Sequence, residues 1–194
     1  EKPLSKLCAE NGFELLSTAK ALKDEPEVLI VTDPFTAAYE AEGLMMMARV
    51  MRELGYRVAL LKPYINGKLM VIRGDRRAFV HYAVKQAARL ERLSRARINL
   101  VGFDPALTIC YRDEYVQLLK EMRGNFEVML PEEWFEKQLG SLKLQNALSS
   151  LQERLQTLKS QDEKLFEPYY LFTHCTERAL VPKSVTMWQM VMQA

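Results

Sequence analysis

A chain of 194 residues with 48% hydrophobic content is long enough to bury one good core or two small lobes. Charged residues make up 27%, scattered among aromatics, which excludes a disordered tract, and the formal net charge of +2 is too small to imply nucleic acid or an anionic membrane. No apolar run approaches the ~20 residues that span a bilayer, and the polar, charged opening is no signal peptide.

Taken in chain order, residues 1–26 carry a weak helical pattern and read as a lead-in segment. Val28-Leu29-Ile30-Val31 is a short apolar, largely β-branched run of the kind that forms a buried parallel strand, and Asp33-Pro34 ends it. Leu44, Met47, Met51 and Leu54 recur at helical spacing until Gly55 supplies a stop. Residues 57–61 form the next strand, closed by Pro63 and the turn-like Asn66-Gly67. Asp75 is a fit N-cap for a helix striped by Phe79, Ala83, Ala87 and Leu90. A strand at 98–103 and a helix over 107–122 follow, the helix stopping at Gly124. Phe126, Val128 and Leu130 alternate as a strand before Pro131 opens a short helix holding Trp134 and Phe135. Strands alternating with helices across short connections predict an α/β fold, a parallel sheet covered by helices on both faces.

The character changes at Gly140. Residues 142–158 contain no breaker, and Leu144, Leu148, Leu151, Leu155 and Leu158 form one stripe of a long helix. About two heptads fall short of a stable coiled coil, so intramolecular packing is the favoured reading. Residues 169–173 read as a further strand, and Ser184 caps a final helix. The two strand exits are alike: Thr32-Asp33-Pro34-Phe35-Thr36 and Thr173-His174-Cys175-Thr176-Glu177 each lead to a Met-rich amphipathic helix. This suggests one unit duplicated, although the identity is slight and chance remains the alternative. The expected organisation is a lead-in over 1–26, a first α/β lobe over 27–140, and over 141–194 a long helix with the start of an incomplete second repeat.

Chemistry-bearing residues are sparse. Neither G-x-G-x-x-G nor G-x-x-x-x-G-K-[ST] occurs, so the usual phosphate cradles are absent. The cysteines, Cys8, Cys110 and Cys175, are odd in number and far apart, which argues against a disulfide framework and fits a reducing cytosol. Cys175 stands out because it lies just past an expected strand end, where parallel α/β folds place ligands, with His174 beside it. Thiolate is the donor that iron–sulfur clusters require, but one cysteine holds no cluster, and a free thiol is the plainer reading. Asp104 suits an N-cap, Arg112, Asp113 and Glu114 suit pairing with each other or with the sheet rim, and the 62–68 loop with Tyr64, Asn66 and Gly67 reads as a surface turn. His81 falls inside a helix and reads as packed there. The basic residues between Arg73 and Arg97, interrupted by Asp75 and Glu91, read as a solvated helix face.

Several runs look familiar. They are Leu54-Gly55-Tyr56-Arg57-Val58 with Lys62-Pro63-Tyr64-Ile65-Asn66-Gly67-Lys68, Leu100-Val101-Gly102-Phe103-Asp104-Pro105-Ala106 with Tyr111-Arg112-Asp113-Glu114-Tyr115, and Phe172-Thr173-His174-Cys175-Thr176-Glu177. Together, from about Val28 to Trp188, they resemble the C-terminal cysteine-rich region of large bacterial FAD-linked oxidases of the D-2-hydroxyglutarate dehydrogenase type. That region is similar to the CCG repeats of heterodisulfide reductase. The resemblance implies Rossmann-like layers and a parent carrying FAD and a 4Fe–4S cluster, with neither bound in this stretch. It also implies flavin and ferredoxin-like domains of the same polypeptide as partners, and a cytoplasmic enzyme of which this piece is not catalytic alone. Beginning at Glu1 fits a chain excised from something longer. By the same resemblance Cys175 matches the first cysteine of the second repeat, as a metal ligand in an incomplete site. Its Cys-Cys-Gly partner is not in the chain. Asp33-Pro34-Phe35, Asn66-Gly67 and Asp104-Pro105-Ala106 stand where the first repeat would hold its cysteines. A cofactor-free docking or scaffold module within the same polypeptide is the alternative.

Overall fold

A computed structural model describes residues 2–159 and 170–193. In chain order the elements are α1 (Leu4–Glu10), β1 (Leu15–Leu16), α2 (Thr18–Asp24), β2 (Val28–Ile30), α3 (Pro34–Tyr39), α4 (Ala41–Glu53), β3 (Val58–Leu61), α5 (Lys68–Ile72) and α6 (Arg76–Arg95). There follow β4 (Asn99–Val101), α7 (Pro105–Cys110), α8 (Glu114–Leu119), a 3-10 turn (Lys120–Arg123), α9 (Pro131–Gln138), α10 (Leu142–Lys159), α11 (Cys175–Leu180) and α12 (Ser184–Gln193). The four strands make one parallel sheet in the order β1-β3-β2-β4.

The sheet forms where apolar runs can be covered twice. Successive side chains of a strand point to opposite faces. Val28, Ile30, Leu60 and Val101 therefore enter one core cluster, while Leu29, Val31, Leu61 and Leu100 enter the other. The first cluster is closed by α1, α4, α9 and the start of α10, through Leu7, Leu44, Met51, Trp134 and Leu144. The second is closed by α2, α6, α7 and α8, through Ala21, Phe79, Leu90, Cys110 and Tyr115. Helices thus lie on both faces of a parallel sheet, as the strand–helix alternation predicts. Asp75 caps α6 by accepting from the Ala78 N–H at 2.9 Å, also as expected.

Four expectations need correction. The segment read as a lead-in carries β1, which pairs with β3 through Leu15–Leu60 and Leu16–Leu61 and forms a sheet edge. The helix expected over 107–122 is two helices and a 3-10 turn, interrupted at residues 111–113. Tertiary contacts override the periodicity there: the Tyr111 and Tyr115 rings pack edge-on 5.0 Å apart, and Arg112 turns away to donate twice to the Val128 carbonyl. The strand expected at 126–130 shrinks to one bridge, Val101 with Met129. Its neighbouring carbonyls are taken by guanidinium groups, Phe126 by Arg123 at 2.8 Å and Val128 by Arg112, and Pro131 then starts α9. Residues 170–174 form neither helix nor strand and pair with no strand among the described residues, and Met129 already sits against β4. Tyr169 and the side chains of Leu155 and Leu158 lie outside the described residues.

The likeness of the two exits goes further than sequence. Asp33 heads a capping box with Thr36 at the third helical position, and His174 heads one with Glu177 there. Each box opens a helix of 6 residues, and a longer helix follows both times. Among the described residues, local structure repeats at the caps and strand pairing does not.

Candidate functional site

Parallel α/β sheets bind ligands outside the carboxyl ends of strands where the strand order reverses. Here that place lies above β2 and β4, since the chain moves from β2 to β3 on one side and then to β4 on the other. A crevice of about 500 Å³ occupies it, lined by Asp33, Phe35, Asn66, Lys68, Asp104 and Leu107 among others. Its polar groups are turned inward to the fold. Asp33 accepts from the Phe35 N–H at 2.7 Å, the Thr36 N–H at 3.2 Å and the Thr36 hydroxyl at 2.7 Å. Asp104 accepts from the Leu107 N–H at 2.7 Å, the N-cap role read from the sequence. The Asn66 amide donates to the Leu107 carbonyl at 3.1 Å and accepts from the Lys68 N–H at 2.9 Å. Lys68 pairs with Glu114.

The electrostatics of this rim oppose an anionic ligand. The helix N-termini that would meet a phosphate are already occupied by the Asp33 and Asp104 carboxylates. Burial, with repulsion from Asp104 and Asp33 added, raises the Glu40 carboxyl above its usual range. This crevice is not a phosphate cradle, in keeping with the missing glycine-rich motifs.

The three cysteines are kept apart. Cys8 is buried in the cluster on one face of the sheet and Cys110 in the cluster on the other. Burial raises the Cys8 thiol, and it raises the Cys110 thiol far more, with the neighbouring Glu114 adding to the shift, so neither is disposed to become the thiolate a metal needs. Cys175 is exposed at the first position of α11. It follows a segment that forms no strand among the described residues, and α11 packs against α7. His174 caps that helix, its Nδ1 accepting from the Thr176 N–H at 3.2 Å and lying 4.0 Å from the Cys175 sulfur. Among the described residues no three Cys, His, Asp or Glu side chains are grouped to hold a metal ion.

The other candidate residues divide. Arg112 pairs with Glu133 and Glu114 with Lys68, while Asp113 accepts from the Gln117 amide at 2.6 Å. The three therefore pair outward, not with one another. His81, expected to be packed, is exposed on α6, 3.1 Å from Lys85 Nζ, because the helix turns its Phe79–Ala83–Ala87 stripe inward instead. Arg73, Arg76, Arg77 and Arg92 are exposed and, among the described residues, make no ion pair.

One cluster has no sequence signal beyond a carboxylate beside Trp134 and Phe135. Glu132, 1% exposed, and Glu177, 5% exposed, meet across the hydroxyl of Ser184, also 1% exposed. Ser184 Oγ lies 2.7 Å from Glu132 Oε1 and in hydrogen-bond contact with Glu177 Oε1. The Trp188 indole N–H donates to Glu177 Oε1 at 3.2 Å, and the His174 N–H donates to Glu177 Oε2 at 3.1 Å. Burial, with the Glu177 charge adding, pushes the Glu132 carboxyl up to about 7. The members lie 45 and 52 positions from Glu132, too distant for spacing to reveal.

No family model matches the chain, and no solved structure matches it. Curated relatives do. The sequence is 38% identical over 92% of its length to D-2-hydroxyglutarate dehydrogenase of Haemophilus influenzae. It is 36% identical over 97% to that of Pantoea ananatis, and 36% identical over 93% to that of Escherichia coli. The chain spans 16% of the length of each of these relatives, so it corresponds to a part of such a protein. No helix among the described residues is long and apolar enough to cross a membrane.

Proposed function

We propose that this chain is a lobe of a dehydrogenase acting on D-2-hydroxyglutarate or a similar D-2-hydroxy acid, in an enzyme that carries FAD and an iron–sulfur cluster. The lobe contributes to electron transfer or cluster binding and does not turn over substrate alone. The observation that carries the reading is 36–38% identity to enzymes of that name along nearly the whole chain.

The residues present do not by themselves fit a 4Fe–4S cluster, which takes about four thiolates. Cys175 offers one exposed sulfur, and Cys8 and Cys110 are buried on opposite faces of the sheet. Cys175 is therefore assigned as a single ligand, the rest of the coordination coming from other segments of the enzyme. FAD is assigned to the flavin domain, because Asp33 and Asp104 occupy the helix termini that a pyrophosphate would need.

The test is Cys175→Ser in the full-length enzyme, prepared anaerobically, with iron content, visible absorbance and turnover read together. Loss of iron and of turnover by about tenfold or more is expected. Unchanged iron and turnover would overturn the ligand role.

A second reading is that the lobe is a cofactor-free docking module. Its support is the buried state of Cys8 and Cys110 and the packing of α10, through Leu144, Leu148 and Leu151, on the first core cluster. In that case Cys175→Ser is silent, while removal of α10 separates this lobe from the flavin and ferredoxin-like domains.

A further inference from the structure

The contacts at Ser184 cannot all be made by Ser184. A hydroxyl carries one proton to donate and lone pairs to accept. Yet Ser184 Oγ is in hydrogen-bond contact with a carboxyl oxygen on each side, Glu132 Oε1 at 2.7 Å and Glu177 Oε1. If it donates to one, the other contact needs a proton supplied by the carboxyl itself. Glu177 already accepts from the Trp188 indole on one oxygen and from the His174 N–H on the other, so both of its oxygens act as acceptors. Glu132 is then the acid that donates, in the order Glu132 to Ser184 to Glu177.

The three residues belong to three different elements. Glu132 is in the first turn of α9, Glu177 in the first turn of α11, and Ser184 opens α12. α12 packs mainly on α9, and α11 on α7. We propose that Glu132, Ser184 and Glu177 form a proton-dependent clasp that holds the α11–α12 pair, with Cys175 at its head, against α9. With the shared proton present the chain of hydrogen bonds is complete. When it is lost, two buried carboxylates face one another across a single hydroxyl.

Among the described residues no cation pairs with Glu132 or Glu177. A cavity of about 520 Å³ adjoins the clasp, walled by apolar side chains such as Met47, Leu54, Phe135 and Leu148, and among the described residues its ionisable lining is Glu132 and Glu177. On α9, Glu133 is held by Arg112 and Lys137 by Glu127, and Glu136 is exposed. From α7 the groups are Asp104, which caps its own helix, and Cys110, buried in the opposite cluster. α11 adds Cys175 and Arg178, both exposed, and Lys183 before α12 is exposed too. α12 has no ionisable side chain. His174 Nδ1 accepts from the Thr176 N–H at the head of α11.

The sign follows from linkage. The Glu132 carboxyl is raised in the folded chain to about 7, so the folded state binds this proton more tightly than the unfolded state. Its contribution is complete below the ordinary carboxyl range and fades as pH rises through about 7.

The experiment is amide hydrogen exchange on the full chain between about pH 5 and about pH 8.5, corrected for intrinsic rates, on the wild type and Glu132→Gln. In the wild type, protection of α11 and α12 is expected to fall at least about tenfold across that range, while α6 and the strands keep theirs. Glu132→Gln replaces the shared proton by an amide donor, and its α11–α12 protection is expected to stay flat. Constant protection in the wild type overturns the proposal. So does a Glu132→Gln variant that folds and loses protection in parallel with the wild type, which would assign the effect to general charge. None of these outcomes depends on iron, flavin or turnover, so the clasp and the ligand role of Cys175 stand or fall separately.

Discussion

Gly102 carries no side chain because Thr108 occupies the space one would fill. A Cβ there would lie 2.0 Å from Thr108 Oγ1 and 2.8 Å from its Cγ2. The close approach lets β4 pass directly into the Asp104 cap of α7, so Gly102→Ala must shift buried backbone. We expect it to lower stability by about 1–3 kcal/mol, read as a lower urea midpoint at unchanged slope. Gly140, with nothing within 4 Å of such a Cβ, serves as the control, and Gly140→Ala is expected within about 0.5 kcal/mol of the parent. Residues whose role is local could be read from sequence. Asp75 and Asp104 cap the helices they precede, because capping needs only the next few N–H groups. Glu132, Glu177 and Ser184 could not, since their meeting depends on three helices converging.

Among the elements, α10 tests how far a sequence stripe reports packing. Leu144 is 2% exposed and belongs to the first core cluster, whereas Gln145 beside it faces solvent. Leu144→Ala is expected to cost about 2–4 kcal/mol and Gln145→Ala less than about 0.5 kcal/mol, by paired denaturant melts. The stripe was visible because a helix repeats every 3.6 residues over many turns. Short elements were not. β1 is two residues whose strand character comes only from pairing with β3. The 126–130 run has an alternating pattern, yet arginine side chains take the carbonyls that a strand would need. Residues 170–174 look like the centre of a strand in composition, but they have no partner strand among the described residues, and Phe172 is left 91% exposed. Pattern registers a propensity; a ladder also requires a neighbour.

Across the whole molecule, the edge formed by β1 carries more than its length suggests. It covers the backbone of β3 at Leu60 and Leu61, so removing residues 1–24 would leave an open parallel edge beside a buried apolar strand. Such a truncated chain is expected to self-associate at concentrations where the full chain does not, as light scattering would register. The sheet also separates the core into two compartments, with Cys8 sealed in one and Cys110 in the other, while Cys175 stands in solvent. A sulfhydryl reagent thus finds one reactive group in the native chain, and each further one becomes available only when its own side of the sheet opens. The molecule carries an internal stopwatch for each half of its core, so that two labelling rates resolve whether the halves come apart together or in turn.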